Sequence, residues 1–336
     1  MGKVHLYSVA RDIPIEKWQA LGAASPTATW FQTPEAYDFF DSLPEMMTPF
    51  VVAVEENERL TGIVVGYITR EKSAVKQLFT RRAIVVGGPL LAADISDEAL
   101  EQLLVAVTEN LKHRAIYIET RNFNDYSRWR AIFERCGFVY QPHLNFQVDC
   151  SSLEVVDGNL GRGRKRDIRT SLRDGAVIVE SPTPAQVAEF YEILHHLYTT
   201  KVKTPLFSFE FFKKLYALPS GRILLVELNG KIIGGTVCVC LEGKAVYEWF
   251  VCGIDGVYKN IFPSSLATYA GIRYAAQHAM PIFDMMGAGT PDEDYGVRDF
   301  KARFGGKLVE FGRYLYLCNP ALYKIGKLGV KILKMR

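Results

Sequence analysis

One feature constrains this chain more than any other: the same order of elements occurs twice. In the first half, alternation and helical spacing give a strand near 3–8 and helical stretches near 15–21 and 34–41. Three strands follow around 48–55, 60–70 and 77–86. A long helix then opens at Ser96 with the acids Glu98 to Glu101 in its first turn. After it come a strand at 115–119, a short helix near 126–136 and a closing strand at 138–149. The second half repeats this with a strand at 176–180, helices near 184–200 and 208–218, and strands at 222–229, 231–241 and 244–252. Asn229-Gly230 between the first two of those strands is the signal of a type I′ hairpin. A helix at 262–279, a strand at 281–285, a helix around 297–304 and a strand at 308–317 complete the second pass. Matching elements lie roughly 170 residues apart. A chain of 336 residues suits two domains, here 1–150 and 151–336.

Charge separates the two halves. Residues 1–150 carry 15 Lys+Arg against 19 Asp+Glu, and residues 151–336 carry 25 against 18. The basic second half therefore points to an anionic partner. Arg162, Arg166, Arg169 and Arg173 fall at i, i+4, i+7 and i+11, one stripe of a helix. Guanidinium groups in a row suit phosphate oxygens, and the competing reading is a solvated face with Ile168 and Leu172 turned inward. In the tail from 320 to 336, Lys324, Lys327, Lys331 and Lys334 share one arc of a helix opposite Leu322, Ile325, Leu328, Ile332, Leu333 and Met335. Such a basic amphipathic helix either lies on an anionic membrane surface or docks on its own domain.

Several chemistries find no support. No apolar run approaches a membrane span, and the N-terminus leads into polar sequence without a signal-peptide core. A cytoplasmic location is expected, membrane-peripheral if the tail touches lipid. The six cysteines form no Cys-x-x-Cys pair and none sits beside a His at ligand spacing, so no metal site is expected. His195 and His196 are adjacent on a helix and point about 100° apart. There is no G-x-S-x-G elbow, no H-E-x-x-H and no P-loop.

A strand, two helices, three antiparallel strands, a helix, a strand, a helix and a strand form the order of the GNAT acyltransferase fold. The expected class is therefore α/β with mixed sheets, as two tandem GNAT-like domains. Particular segments narrow this further: Thr29-Trp30-Phe31-Gln32-Thr33-Pro34-Glu35, the Gly87-Gly88-Pro89 turn, Cys136-Gly137-Phe138 before a strand ending in Gln147-Val148-Asp149, and Arg164 to Arg169 leading into Asp174-Gly175-Ala176. Phe283-Asp284-Met285-Met286-Gly287 and Gly296-Val297-Arg298-Asp299-Phe300-Lys301-Ala302-Arg303-Phe304-Gly305-Gly306 complete the set. In this order they resemble the FemAB family of peptidoglycan interpeptide-bridge aminoacyltransferases, which are tandem GNAT proteins. The long helical arm of some members is absent.

The resemblance implies transfer of an aminoacyl group from charged tRNA to an amine on a cell-wall precursor stem peptide, lipid-linked in some cases, with no metal or redox cofactor. It places Lys301 at the family's catalytic lysine, aimed at the oxyanion that acyl transfer develops; the plain alternative is a surface lysine. Asp284 either orients the amine or Lys301, or bonds the backbone N–H groups of its turn. Lys201 and Lys203 stand near the family's basic phosphate ligand. Tyr247 and Trp249 share a strand face, lining a cleft or packing in the core. Arg162, Arg166 and Arg169 join this set as phosphate contacts. In the first half the chain departs from the family, with Tyr37, Phe39, Phe40 and Asp41 where a phosphate-binding lysine is found in other members.

Two other functions compete. One is a GNAT-type N-acyltransferase using acyl-CoA on a sugar, lipid or small amine. CoA-using members cradle pyrophosphate on a Gly-rich loop before the long helix, whereas the connection here, Asp255 to Ser265, lacks the glycine pair and contains Pro263. The other is a non-catalytic protein that holds tRNA or membrane through its basic half.

Overall fold

The computed structural model describes residues 4–71 and 73–334. In chain order its strands are β1 (Val4–Tyr7), β2 (Met47–Glu56), β3 (Arg59–Thr69), β4 (Arg82–Gly87), β5 (Leu90–Leu91), β6 (Tyr117–Asn122), β7 (Val139–Gln141) and β8 (Leu144–Asp149). They continue with β9 (Ala176–Val179), β10 (Gly221–Leu228), β11 (Lys231–Leu241), β12 (Ala245–Gly253), β13 (Ile282–Asp284), β14 (Lys307–Glu310) and β15 (Arg313–Leu317). Two open sheets result, and each belongs to one compact unit. The first sheet runs β1-β2-β3-β4-β6-β15-β7 and the second β9-β10-β11-β12-β13-β8-β14. In each, one internal pair is parallel, β4 with β6 and β12 with β13, while the rest are antiparallel. The duplicated order in the sequence is thus a duplicated sheet.

The units do not follow one another along the chain. The first comprises residues up to His143 together with those from Phe311 onward, and the second runs from Leu144 to Glu310. The closing strands expected at 138–149 and 308–317 each break in two, and their pieces enter different sheets. The breaks have local causes. Pro142, between β7 and β8, has no N–H to give a ladder. Gly312, between β14 and β15, has φ +64°, and a Cβ there would come within 2.3 Å of the Tyr140 ring. A division at 150 therefore cuts after a strand that already belongs to the second sheet. The strand expected over 77–86 is shorter, because Ala74–Thr80 is helical and pairing starts at Arg82.

Within the second unit, the helix Pro263–Gln277 lies across β10, β11 and β12. Its Leu266, Ala267, Ala270 and Ile272 join Cys238, Cys240, Val246 and Phe283 in one buried core. The approach is tight at Gly271, where a Cβ would fall 2.5 Å from the Phe283 ring. The hairpin between β10 and β11 turns on Asn229 and Gly230 at φ +52° and +76°, as a type I′ turn requires. Cys150, Cys238, Cys240 and Cys252 are buried free thiols, and Cys136 and Cys318 are partly buried. No helix among the described residues is long and apolar enough to cross a membrane. The tail forms a helix, Pro320–Lys334, with Lys324 and Lys327 exposed. The side chains of Leu328, Lys331, Ile332, Leu333 and Lys334, and Met335, lie outside the described residues.

Candidate active site

The second unit gathers a lysine and two carboxylates in its interior. Lys301 sits on the short helix Gly296–Ala302, and only 9% of it is exposed. Its Nζ donates to the carbonyls of Met285, at 2.5 Å, and Gly287, at 2.8 Å. Those carbonyls are available because the chain after β13 turns through left-handed conformations, Met286 at φ +53° and Gly287 at +121°. An ammonium carries three protons, so two are engaged and the third remains for another acceptor.

Asp284 ends β13 and is fully buried. Its Oδ1 accepts from Asn145 Nδ2 and from the Met286 N–H, both at 2.8 Å, and its Oδ2 accepts from Gln147 Nε2 at 3.0 Å. Both amides come from β8, whose antiparallel register sets Gln147 directly opposite Asp284. Asn145 Oδ1 in turn accepts from the Phe146 and Gly287 N–H groups. Asp284 is thus anchored to the turn that supplies the lysine's two carbonyls. Of the two arrangements open in the sequence, the bond to a backbone N–H of its turn is present, from Met286.

Glu248, on β12, completes the group and was not singled out from sequence. It lies opposite Cys238 of β11, beside a register shift that makes Trp249 an extra residue. Thr236 Oγ1 approaches its Oε1 at 3.4 Å. Burial dominates its titration and lifts the carboxyl to about 7, against weaker pulls downward from Lys301, Thr268 and Thr236. The Thr268 hydroxyl itself has no partner that meets hydrogen-bond geometry. Burial likewise raises Asp284, opposed by Asn145, Gln147, the Met286 N–H and Lys301. It lowers Lys301, opposed by Glu248 and then Asp284. Where ionised, the two carboxylates oppose that lowering by charge, and the Met285 and Gly287 carbonyls give the ammonium its acceptors.

The helix bearing Lys301 is fixed from two sides. Arg298 donates to the carbonyls of Ala288, at 3.0 Å, and Thr290. Arg164, 5% exposed, donates to Ser265 Oγ and to the Phe300 carbonyl at 3.3 Å. Its guanidinium also covers the rings of Phe300 and Phe304 at 4.4 and 4.5 Å.

Of the other sequence candidates, Tyr247 lies directly opposite Asp284 in the parallel pair of β12 and β13, whereas the arginines, Lys201 and Lys203 sit on other elements. Arg162, Arg166 and Arg169 are exposed on the helix Arg162–Arg173 and, with Lys165, Thr170 and Arg173, line a groove of about 360 Å³. Lys201 and Lys203 are exposed where the helix Pro184–Leu197 runs out through a wider turn, with Lys203 at φ +54°. Tyr247 is buried, and Trp249 packs edge-on to Phe211 at 5.0 Å, beside Phe250. Among the described residues, Arg162, Arg166, Arg169, Lys201 and Lys203 make no hydrogen bond to the Lys301 centre.

The start of the long helix is closed to an anion. Pro263 has no N–H, the Ser264 N–H donates to Asp255 Oδ1 at 3.1 Å, and Ser265 accepts from Arg164. In the first unit, the helix Asp97–Leu111 begins with Asp97 and Glu98, and its cap Ser96 donates to Glu56. Both helix starts carry carboxylates where a phosphate would need donors.

Comparison with known proteins bears on this arrangement. Residues 161–301, which include Lys301, Glu248 and Asp284, match the family model of the acetyltransferase (GNAT) domain. Among solved structures, FemX superposes with a TM-score of 0.72 at 14% identity, over 95% of this chain and 99% of that one. A tandem GNAT protein from the clavulanic acid biosynthesis pathway gives 0.59 at 12% identity, over 95% and 99%. This is a FemAB-like tandem GNAT fold. The C-terminal domain of a putative lysylphosphatidylglycerol synthetase from Agrobacterium fabrum has it too, at a TM-score of 0.58 and 13% identity over 95% of each chain. No curated protein sequence matches this tandem GNAT chain.

Proposed function

We propose that the chain is an acyltransferase of the FemAB type, which moves an aminoacyl group from charged tRNA to an amine of a peptidoglycan precursor stem peptide. The observation that carries the reading is the buried Lys301 ammonium, fixed by the Met285 and Gly287 carbonyls with one proton left over. The acceptor amine attacks the ester carbonyl, a C–N bond forms, and the oxyanion of the tetrahedral intermediate takes that remaining hydrogen bond. As the carbonyl re-forms, the ester C–O bond breaks and the proton shed by the amine ends on the departing hydroxyl. A single preorganised donor of this kind is worth about 3 kcal/mol, or a factor of 10² and more in rate. Glu248 and Asp284 act through Lys301 by holding its charge.

Charged tRNA is favoured over acyl-CoA as donor because both long helices begin on carboxylates, Asp255 and the pair Asp97 and Glu98. The exposed arginines of the helix Arg162–Arg173 suit the phosphates of a nucleic acid. The Pro320–Lys334 helix suits an anionic membrane where the precursor is lipid-linked.

The test is the mass of a stem-peptide precursor after incubation with the protein, with charged tRNA and acetyl-CoA in separate tubes and phosphatidylglycerol vesicles as a second acceptor. An amino-acid increment from charged tRNA, lost in Lys301→Ala while circular dichroism is unchanged, is expected. An acetyl increment only with acetyl-CoA overturns the donor assignment, and an increment on the lipid alone overturns the acceptor.

A further inference from the structure

We propose that the first unit contains a binding site for a phosphoryl dianion, built on one face of its sheet by Arg82, Arg121 and Arg313. The register sets all three side chains on one face and brings two of them together. Arg313 of β15 lies directly opposite Arg121 of β6, and Arg82 of β4 lies beside Tyr117 of β6. Like charges directly opposed across a strand pair repel. Here a single carboxylate holds them, with Glu119 Oε1 accepting from Arg121 Nε at 2.6 Å and from Arg313 Nη1 at 3.1 Å. Two guanidinium groups share one carboxylate, and Arg82 adds a third positive charge to the same face of the sheet.

Their donors are also in excess. Arg121 engages Glu119 through Nε alone, which leaves both of its Nη groups without a partner among the described residues. Arg313 gives its other Nη to His143 Nε2 at 2.9 Å, and its Nε is buried and unpartnered. The Arg121 side chain is 36% exposed and that of Arg313 26%, so a solute can reach both. Even so, burial is the largest influence on the titration of Arg121, Arg313, Glu119 and the hydroxyls of Tyr67 and Tyr117 around them. Glu119, which the Arg121 and Arg313 guanidinium groups share, is itself only 12% exposed. Forked donors from two directions, with tyrosine hydroxyls beside them, match the several oxygens of a phosphate better than a planar carboxylate. The charge of a dianion balances the excess.

The inference is independent of the acyl-transfer reading, because its test reads binding alone. Inorganic phosphate is titrated into the full chain at a pH of about 8, where it is a dianion, and at low ionic strength, followed by the NMR signals of the His143 ring, which reports on Arg313. Succinate serves as the dicarboxylate control. Phosphate is expected to shift His143 saturably where succinate does not, and Arg121→Gln should weaken it about tenfold, the scale of one charged hydrogen bond. Glu119→Gln removes the carboxylate that Arg121 and Arg313 share and should tighten binding about tenfold, a gain that misfolding cannot produce. No saturable shift of His143 up to about 10 mM, an affinity too weak to count as a site, overturns the inference. So does equal affinity in Glu119→Gln and the parent, or equal response to succinate.

Discussion

Replacing Glu248 by Gln tests the buried charge centre through stability alone. The carboxyl titrates near 7 in the folded chain against an ordinary value of 4.5. A raised value means that the folded state holds its proton longer than the unfolded chain does. The associated stability is fully present below about 4.5 and is lost as pH rises through 7. Across that interval of 2.5 units, at 1.36 kcal/mol per unit, the loss amounts to about 3 kcal/mol. Gln has the same shape and no such titration. The parent should therefore lose about 3 kcal/mol more than Glu248→Gln between pH 4.5 and pH 8. Amide exchange of Ala245–Gly253, corrected for intrinsic rates, reads this in the second unit. Parallel pH profiles for the two proteins would refute the reasoning, since they would mean that Glu248 is ionised throughout or reaches water.

Four other outcomes follow from the same geometry. Glu248→Gln also removes the largest influence holding Lys301 protonated, so the alkaline limb of the transfer rate should move to lower pH in a pH–rate profile. Asp284→Asn turns an acceptor of three hydrogen bonds into a group that must donate at one of them, and should cost about 2–3 kcal/mol in urea unfolding. Arg164→Met keeps bulk but drops the bonds to Ser265 and the Phe300 carbonyl, and should cost about 1–3 kcal/mol while slowing transfer. Gly305→Ala sets a Cβ 2.0 Å from the Asn159 carbonyl at φ +77°, and should lower the melting temperature by several degrees, about 1–3 kcal/mol of strain.

Much of the fold was legible because its signals are local. Asn229-Gly230 marks its hairpin, Ser96 caps its helix through the Ala99 N–H, and the duplicated order maps onto two sheets with the same strand sequence. Strand ownership was not legible. Periodicity shows that 144–149 and 313–317 are strands, but which sheet accepts them depends on pairings far along the chain. Lys301 and Asp284 stood out through the family motifs around them. Glu248 left a weaker trace, a lone carboxylate between Tyr247 and Trp249 in an apolar strand, and the bulge beside it has no sequence signature of its own. Asn145 and Gln147 alternate on β8 as any half-exposed strand would, so their role appears only once β8 is set beside β13.

The exchanged strands also set a timetable. β6 of the first unit has β15 as its neighbour, and the Thr120 hydroxyl accepts from the Tyr314 N–H across 194 residues. A ribosome that has released residues 1–143 has therefore released a sheet still missing a strand, with an open edge beside β6 until β15 has emerged. The second unit, continuous from Leu144 to Glu310, can close first. The interval in which that edge lies open to wrong pairing is the time between the synthesis of β6 and the arrival of β15.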